Sequence, residues 1–111
     1  MTLSAAAAVR DGRPCELQFS GTVTDRPQFF YGRHSHAEHE AFHVRSEDGV
    51  TVDVVDNVTL ATPGGGRAGD RVTVRGEFVP AERGPLVHWT HHDPAGRHAA
   101  GFIEWNGRRY A

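Results

Sequence analysis

The fold is decided by residues 69–78, GDRVTVRGEF, in which apolar and polar side chains alternate. A period of two predicts a β-strand with one buried face. The same alternation recurs in residues 15–23, 42–45, 50–54 and 87–91. Five such segments, with a longer connection between the third and the fourth, follow the strand order of an OB barrel. We therefore predict an all-β fold, a small five-stranded OB-like barrel whose fourth strand is residues 69–78.

The two ends of the chain add smaller elements to this barrel. Residues 1–14 predict a short N-terminal helix that ends before Pro14, and Asn106-Gly107 predicts the turn of a C-terminal hairpin. The connection 57–69 is too rich in glycine for a long helix. At 111 residues, the chain is expected to form one OB-like domain. In it, residues 1–14 form a helical extension and residues 15–111 the barrel and the hairpin.

The composition limits the partners that the protein is expected to have. The formal net charge is −2 with neutral histidines, so no overall basic field attracts nucleic acid or an anionic membrane, although a local basic patch is compatible with it. The single cysteine, Cys15, requires no oxidising compartment. The first residues lack the cationic region of a secretion signal, and no segment is long enough to span a bilayer. We expect a cytoplasmic protein without a membrane partner, and a small-molecule partner is compatible with the sequence.

Eight histidines fall into two groups along the chain, and these are His34, His36, His39 and His43, then His88, His91, His92 and His98. If the second and third barrel strands form a hairpin around residues 47–49, Glu40 lies near Asp56 and His43 lies near Asp53. The third and fifth strands of an OB barrel run parallel, so the residues after the fifth strand reach the same pole. The topology therefore predicts that His39, Asp56 and His91 meet there.

Imidazoles and carboxylates at one pole are a suitable ligand set for a transition metal. We predict zinc or another divalent transition metal, and its candidate ligands are His39, Asp56, His91, His92 and His98. A bound water, acidified by the metal, would serve hydrolysis, with Glu40 and Asp93 as candidate catalytic groups. The other interpretation is structural, with these histidines hydrogen-bonded to carboxylates and to the backbone. The spacing leaves both interpretations open, and also leaves open whether the protein is an enzyme.

The second half of the chain carries a more specific pattern. Residues 88–94 read HWTHHDP and are followed by GRH at 96–98 and GFI at 101–103. This pattern resembles an uncharacterised bacterial family known for its HWTH motif, the domain of unknown function 3465. The resemblance covers about residues 20 to 110, and its other matching residues are His39, Phe42, Asn57, Leu60, Gly69, Asp70, Gly76, Glu77 and Phe78. It implies an OB-like outline and no particular reaction.

Two departures from the family and two local expectations follow from that pattern. Family members often carry a secretion signal, and they tend to have His-Asn where this chain has Asp56-Asn57. Trp89 alternates with Val87, which favours a core anchor over a stacking platform. Asp93-Pro94 predicts a turn.

Residues 39–43, HEAFH, match the H-E-x-x-H signature of zinc proteases. On a helix, His39 and His43 would share one face and bind zinc, while Glu40 polarised a water molecule. A minimal zinc metalloprotease is therefore an alternative function. The apolar stripe of such a helix is thin, and Arg45 stands where the signature prefers an apolar residue. On a strand, the two histidines would lie about 13 Å apart and could not share an ion.

Aromatic residues cluster in the predicted first loop, where OB domains commonly hold single strands or sugars. The candidate ligand-binding residues are Phe29, Phe30, Tyr31 and Arg33, with Arg26 on the other flank. Their rings would stack on bases while the arginines meet phosphates, so a module that binds single-stranded nucleic acid or another ligand is a second alternative. The competing interpretation is a loop that folds its aromatic residues onto the barrel, and the sequence favours it.

Overall fold

The computed structural model describes residues 4–33, 36–57, 66–97 and 99–111. Its elements, in chain order, are α1 (Ala5–Asp11), β1 (Cys15–Val23), β2 (Gln28–Gly32), β3 (Ala37–Ser46), β4 (Thr51–Asn57), β5 (Arg71–Ala81), β6 (Gly84–His88), β7 (Phe102–Trp105) and β8 (Arg108–Tyr110). Within those ranges, none of the helices has the length and apolar character that crossing a membrane requires.

Five of the strands close into a mixed barrel. β1 pairs antiparallel with β3 and with β5, β3 pairs antiparallel with β4, and β5 pairs antiparallel with β6. The circle is completed by the parallel pair β4–β6. This parallel pair joins the third and fifth barrel strands, as the OB order requires, so the predicted fold class is confirmed.

The predicted additions at the two ends are also present. The hydroxyl of Ser4 accepts from the amide of Ala7 at the start of α1, and Gly12 ends the helix with φ of 69°. β7 pairs with β5, and β8 pairs with β7. Asn106 and Gly107 form the turn of this C-terminal hairpin with φ of 49° and 86°, which is the conformation that Asn-Gly favours.

The core lies inside the barrel and follows from the alternation in each strand. Trp105 covers part of it, with its ring 4.7 Å from that of Phe42 and its indole N–H donating to the Asp70 carboxylate at 2.9 Å. Two helix residues, Ala5 and Ala8, pack on the same cluster. The strand residues of this hydrophobic cluster are Leu17, Phe19, Val23, Phe42, Val44, Val52, Val54, Val72, Val74, Phe78, Val87, Ile103 and Trp105.

The barrel closes at a glycine in β1. Gly21 is paired with Ser46 of β3 and also with Val72 of β5. A Cβ atom at this position would overlap the backbone carbonyl of Arg45 and would lie 2.8 Å from Cγ1 of Val44. A side chain does not fit here, because β1 and β3 approach too closely.

Two segments differ from the sequence predictions. Residues 28–32, expected in a loop, form β2, which pairs with residues 37–41 at the start of β3. The fifth barrel strand ends at His88 rather than His91, because Trp89 has φ of 55°. Trp89 is half-buried and lies outside the core cluster, so its assignment as a core anchor is wrong. Most of the connection 57–69 lies outside the described residues.

Candidate functional site

The predicted register at the pole of the barrel is correct. β3 and β4 place Glu40 directly opposite Asp56, and His43 directly opposite Asp53. Glu40 and Asp56 continue the inward-facing series of their strands, and each is only 1% exposed. We refer to these two carboxyl groups as the acid pair.

The two members of the acid pair have different surroundings. The Thr90 hydroxyl lies 3.1 Å from Oδ1 of Asp56 and 3.2 Å from the Val55 carbonyl, and it can donate to either. Burial raises the pKa of Asp56 to about 6, although the bonds from Thr90 and from the Asn57 backbone oppose this. Burial raises the pKa of Glu40 to about 7, and the Asp56 carboxylate adds to the shift. Among the described residues, neither oxygen of Glu40 has a hydrogen-bond partner.

The imidazole of His39, the neighbour of Glu40 in β3, lies on the outer side of the same sheet. His39 points away from the acid pair, and its ring stacks on Phe30 with centroids 5.2 Å apart. Burial lowers the pKa of His39, a hydrogen bond to the Asp56 backbone opposes this, and the charge of His91 lowers it further. His91 is buried, with Nδ1 2.6 Å from the His92 carbonyl. The register therefore separates the Asp56 carboxylate from the imidazole of His39, because the two side chains lie on opposite faces of the sheet.

The metal site predicted from the sequence receives no support from this geometry. In the ranges that the structure covers, no three His, Cys, Asp or Glu side chains are arranged to hold a metal ion. His92 is exposed, and His98, like His34, lies outside the described residues. Neighbouring residues of a strand point to opposite faces. Glu40 and its cross-strand partner Asp56 therefore point inward, whereas His39 points outward. The metal set remains a prediction.

The zinc-protease interpretation is wrong, because the H-E-x-x-H match lies on a strand. His39 and His43 share the outward face of β3, about 13 Å apart by strand geometry, and Glu40 points the other way. His43 is held by Asp25 instead. Its Nδ1 lies 2.8 Å from one carboxylate oxygen, and its backbone N–H donates to the other at 2.7 Å.

Asp93 acts in a turn, as the Asp-Pro pair predicts. Its carboxylate accepts from the amides of Ala95 and Arg97 at 2.9 and 2.8 Å. These bonds shape the segment that follows the HWTHH run. The candidate catalytic roles of Asp93 and Glu40 remain predictions.

The aromatic residues of the first loop do not fold onto the barrel, so that expectation is wrong. Phe29, Phe30 and Tyr31 lie on β2 and are 55%, 47% and 60% exposed. In the described part of the chain, β2 pairs with β3 on one side and has no strand on the other. Alternation therefore sends Phe29 and Tyr31 to one face and Phe30 to the other. We call β2 and its partner residues 37–41 the aromatic ribbon.

A groove of about 730 Å³ lies beside the ribbon on the outward face of the barrel. Its floor includes His43, Thr51 and Asp53 of β3 and β4, and its wall is formed by residues 81–86 at the turn between β5 and β6. In OB domains, the face of the second and third barrel strands, with the first and last interstrand loops, is the surface that binds oligonucleotides and oligosaccharides. β3, β4, the ribbon and the β5–β6 turn occupy those positions here.

The outward face of β3 joins the ribbon to the groove. His39 stacks on Phe30 at one end, and His43 lines the groove at the other, with Ala41 between them. The register prediction had placed His43 beside Asp53. It missed Asp25, because that contact crosses from the loop before β2, where no periodic pattern fixes the chain.

We predict that Asp25→Asn lowers the pKa of His43. The hydrogen bond that the His43 ring donates to the Asp25 carboxylate is the main cause that holds this pKa above its ordinary value, against the opposing effect of burial. An NMR titration of the imidazole C–H signals measures the change. Asp53→Asn is the control and should lower the pKa less, since Asp53 acts on His43 only through its charge. An equal or larger fall in the Asp53 variant would contradict the assignment.

These features define the class of protein, a small OB-like β-barrel with an aromatic ribbon in its first loop. The chain belongs to the family described as Protein of unknown function (DUF3465), which it matches over residues 16–111. The match begins inside β1, so α1 lies outside it. No curated protein matches the sequence.

Proposed function

We propose that this protein is a binding module that holds single-stranded nucleic acid along the outward face of β3, from the aromatic ribbon to the groove. One observation carries the proposal: Phe29, Phe30 and Tyr31 are consecutive and all about half exposed or more. Large apolar side chains grouped on a surface mark an interaction site. Their place in the first loop of an OB barrel is where such domains hold single strands.

The rings favour a ligand with flat faces. Stacking of a base on an aromatic side chain contributes about 1–3 kcal/mol and tolerates any base. Phe30 already forms such a stack with His39, which extends the platform toward the groove. Since Phe29 and Tyr31 lie on the opposite face of the ribbon, they can contact a different base or the sugar of a neighbouring nucleotide.

Charged groups along this path suit the two parts of a nucleotide. Arg26 and Arg33 flank the ribbon, and Arg83 lines the groove. Guanidinium groups pair with phosphates through two parallel hydrogen bonds. Asp53, on the groove floor, can accept a hydrogen bond from a base amino group. Because the net charge is −2, attraction must come from these local arginines rather than from the whole molecule.

A transition metal at the pole is the second candidate. His39 and His91 lie close enough for the charge of one to lower the pKa of the other. A lowered pKa favours the neutral imidazole, which is the form that binds metals. With a metal bound, these imidazoles would support the hydrolytic role that the sequence suggests. Thermal unfolding with zinc, in the wild type and in His39→Ala with His91→Ala, tests this candidate.

Phe30→Ala is expected to weaken binding of a fluorescent single-stranded 15-mer about tenfold or more, the loss of one stacked base. Fluorescence anisotropy at low salt, with DNA and with RNA, measures the affinity. Val9→Ala is the control, because Val9 is an exposed apolar residue on α1, away from the ribbon. Arg33→Ala should also reduce the salt dependence, by about one unit in the slope of log affinity against log salt.

Two outcomes would overturn the proposal. One is the absence of binding to either single strand at low salt. The other is equal affinity in the wild type and the Phe30 variant. Circular dichroism of each variant checks that the barrel is folded, which we expect because Phe30 is outside the core.

A further inference from the structure

Among the described residues of the barrel interior, the acid pair is a feature that neither ligand binding nor packing explains. A buried polar group without a hydrogen bond is costly, and a charged one more so. Glu40 is almost completely buried, and both of its oxygens lack a partner in the part of the chain described here. A carboxyl group kept in this state points to something that binds it.

The groups around the pair define the chemistry of that occupant. Cross-strand partners have Cβ atoms about 4.5–5.5 Å apart, so the two carboxyl groups face each other across β3 and β4. A third oxygen lies beside Asp56, because the Thr90 hydroxyl is 3.1 Å from its Oδ1. In the described part of the chain, no arginine forms an ion pair with either carboxyl group. The pair is thus a set of oxygen acceptors without a counter-charge.

We propose that Glu40 and Asp56, with the Thr90 hydroxyl beside them, bind a hard divalent cation of the Mg²⁺ or Ca²⁺ class at the pole of the barrel. Such cations prefer carboxylate, hydroxyl and carbonyl oxygens, and Mg²⁺ is commonly held by one or two carboxylates together with water. A charge of +2 matches two ionised carboxylates. The acid pair faces the barrel interior, whereas the imidazole of His39, a ligand that suits softer metals, faces outward.

Thermal unfolding of the full chain, treated with EDTA and dialysed at about pH 8, tests the proposal. Mg²⁺ or Ca²⁺ at 100 times its dissociation constant is expected to raise the Tm of the wild type by about 10 °C. Calorimetric titration with the metal alone gives the affinity. The shift should disappear at about pH 5.5, where protons compete for both carboxylates.

Variants distinguish the acid pair from other cation sites. Glu40→Gln and Asp56→Asn should each weaken the affinity for the cation at least tenfold and so reduce the Tm shift. Both substitutions keep the shape of the side chain. Glu38→Gln is the matched control, since it removes the same charge from an exposed position two residues away and should keep the full shift. An unchanged shift in Glu40→Gln, or no shift with either cation at 10 mM, would overturn the proposal.

A zinc arm separates the two metal hypotheses. If zinc alone stabilises the chain, and His39→Ala with His91→Ala abolishes the effect while Glu40→Gln does not, the acid-pair proposal is overturned in favour of the imidazole set. None of these measurements involves an oligonucleotide. Failure of the ribbon proposal therefore leaves this one unaffected, and the converse also holds.

Discussion

Between about pH 4.5 and about pH 7, the metal-free wild type is expected to lose about 3 kcal/mol more free energy of unfolding than the Glu40→Gln variant loses. Burial raises the pKa of this carboxyl from 4.5 to about 7, and each pKa unit corresponds to about 1.4 kcal/mol. The folded protein keeps a proton in this window that the unfolded chain releases. Its stability therefore falls as the pH rises through the window, whereas glutamine, which does not titrate, contributes no such fall.

Urea unfolding at several pH values in the presence of EDTA measures this difference. Asp56, whose pKa is raised to about 6, contributes its own fall in both proteins, so the difference between the two curves isolates Glu40. Glu38→Gln is the control, because it makes the same substitution at an exposed position of the same strand. Parallel curves for the wild type and the Glu40 variant would show that the carboxyl titrates normally.

Gly21→Ala is expected to destabilise the protein by about 3 kcal/mol, which for a domain of this size lowers the Tm by about 12–24 °C. The added methyl group would overlap the Arg45 carbonyl, and that oxygen belongs to the backbone of β3 and cannot rotate away. Relief requires β1 and β3 to separate where the barrel closes.

Gly49→Ala provides the comparison for this variant. Gly49 has φ of 87° but open space around its Cα, so its substitution carries only the strain of a left-handed residue, about 1 kcal/mol. Chemical denaturation of both variants gives the two free energies of unfolding. If the Gly21 variant loses no more stability than the Gly49 variant, the close approach of the strands is not the reason for glycine at position 21.

Much of the barrel was predictable because its signals are local. Each core strand buries one face, which produces a period of two, and counting back from the turn at residues 47–49 placed Glu40 opposite Asp56. The ribbon was not predictable in the same way. Both faces of β2 are exposed, so Phe29, Phe30 and Tyr31 show no alternation that would distinguish a strand from a loop.

The sequence predicted which residues lie at the pole of the barrel, but not the face of the sheet to which each side chain points. Asp56 continues the buried series of Val52 and Val54, so the sequence already contained the signal that its carboxyl turns inward. The predicted metal site required Asp56 and His39 on one surface. Asp56 lies opposite Glu40, the strand neighbour of His39, so the two side chains point to opposite faces of the sheet. The end of β6 had no such signal, since a tryptophan with positive φ, as at Trp89, is uncommon and is imposed by the surrounding structure.

The pairing of β1 with β5 has a consequence for how the chain acquires its shape. β1 pairs with β3 only over residues 21–23, whereas Cys15 pairs with Phe78 and Thr22 with Arg71, so most of this strand has no partner until the second half of the sequence is present. Contacts this distant along the chain place folding at the slow end, in milliseconds to seconds, because loop entropy is lost before the pairing compensates for it. During synthesis, the hairpin of β3 and β4 can form early. The edge of β1 that pairs with β5 stays unpaired until β5 has emerged from the ribosome.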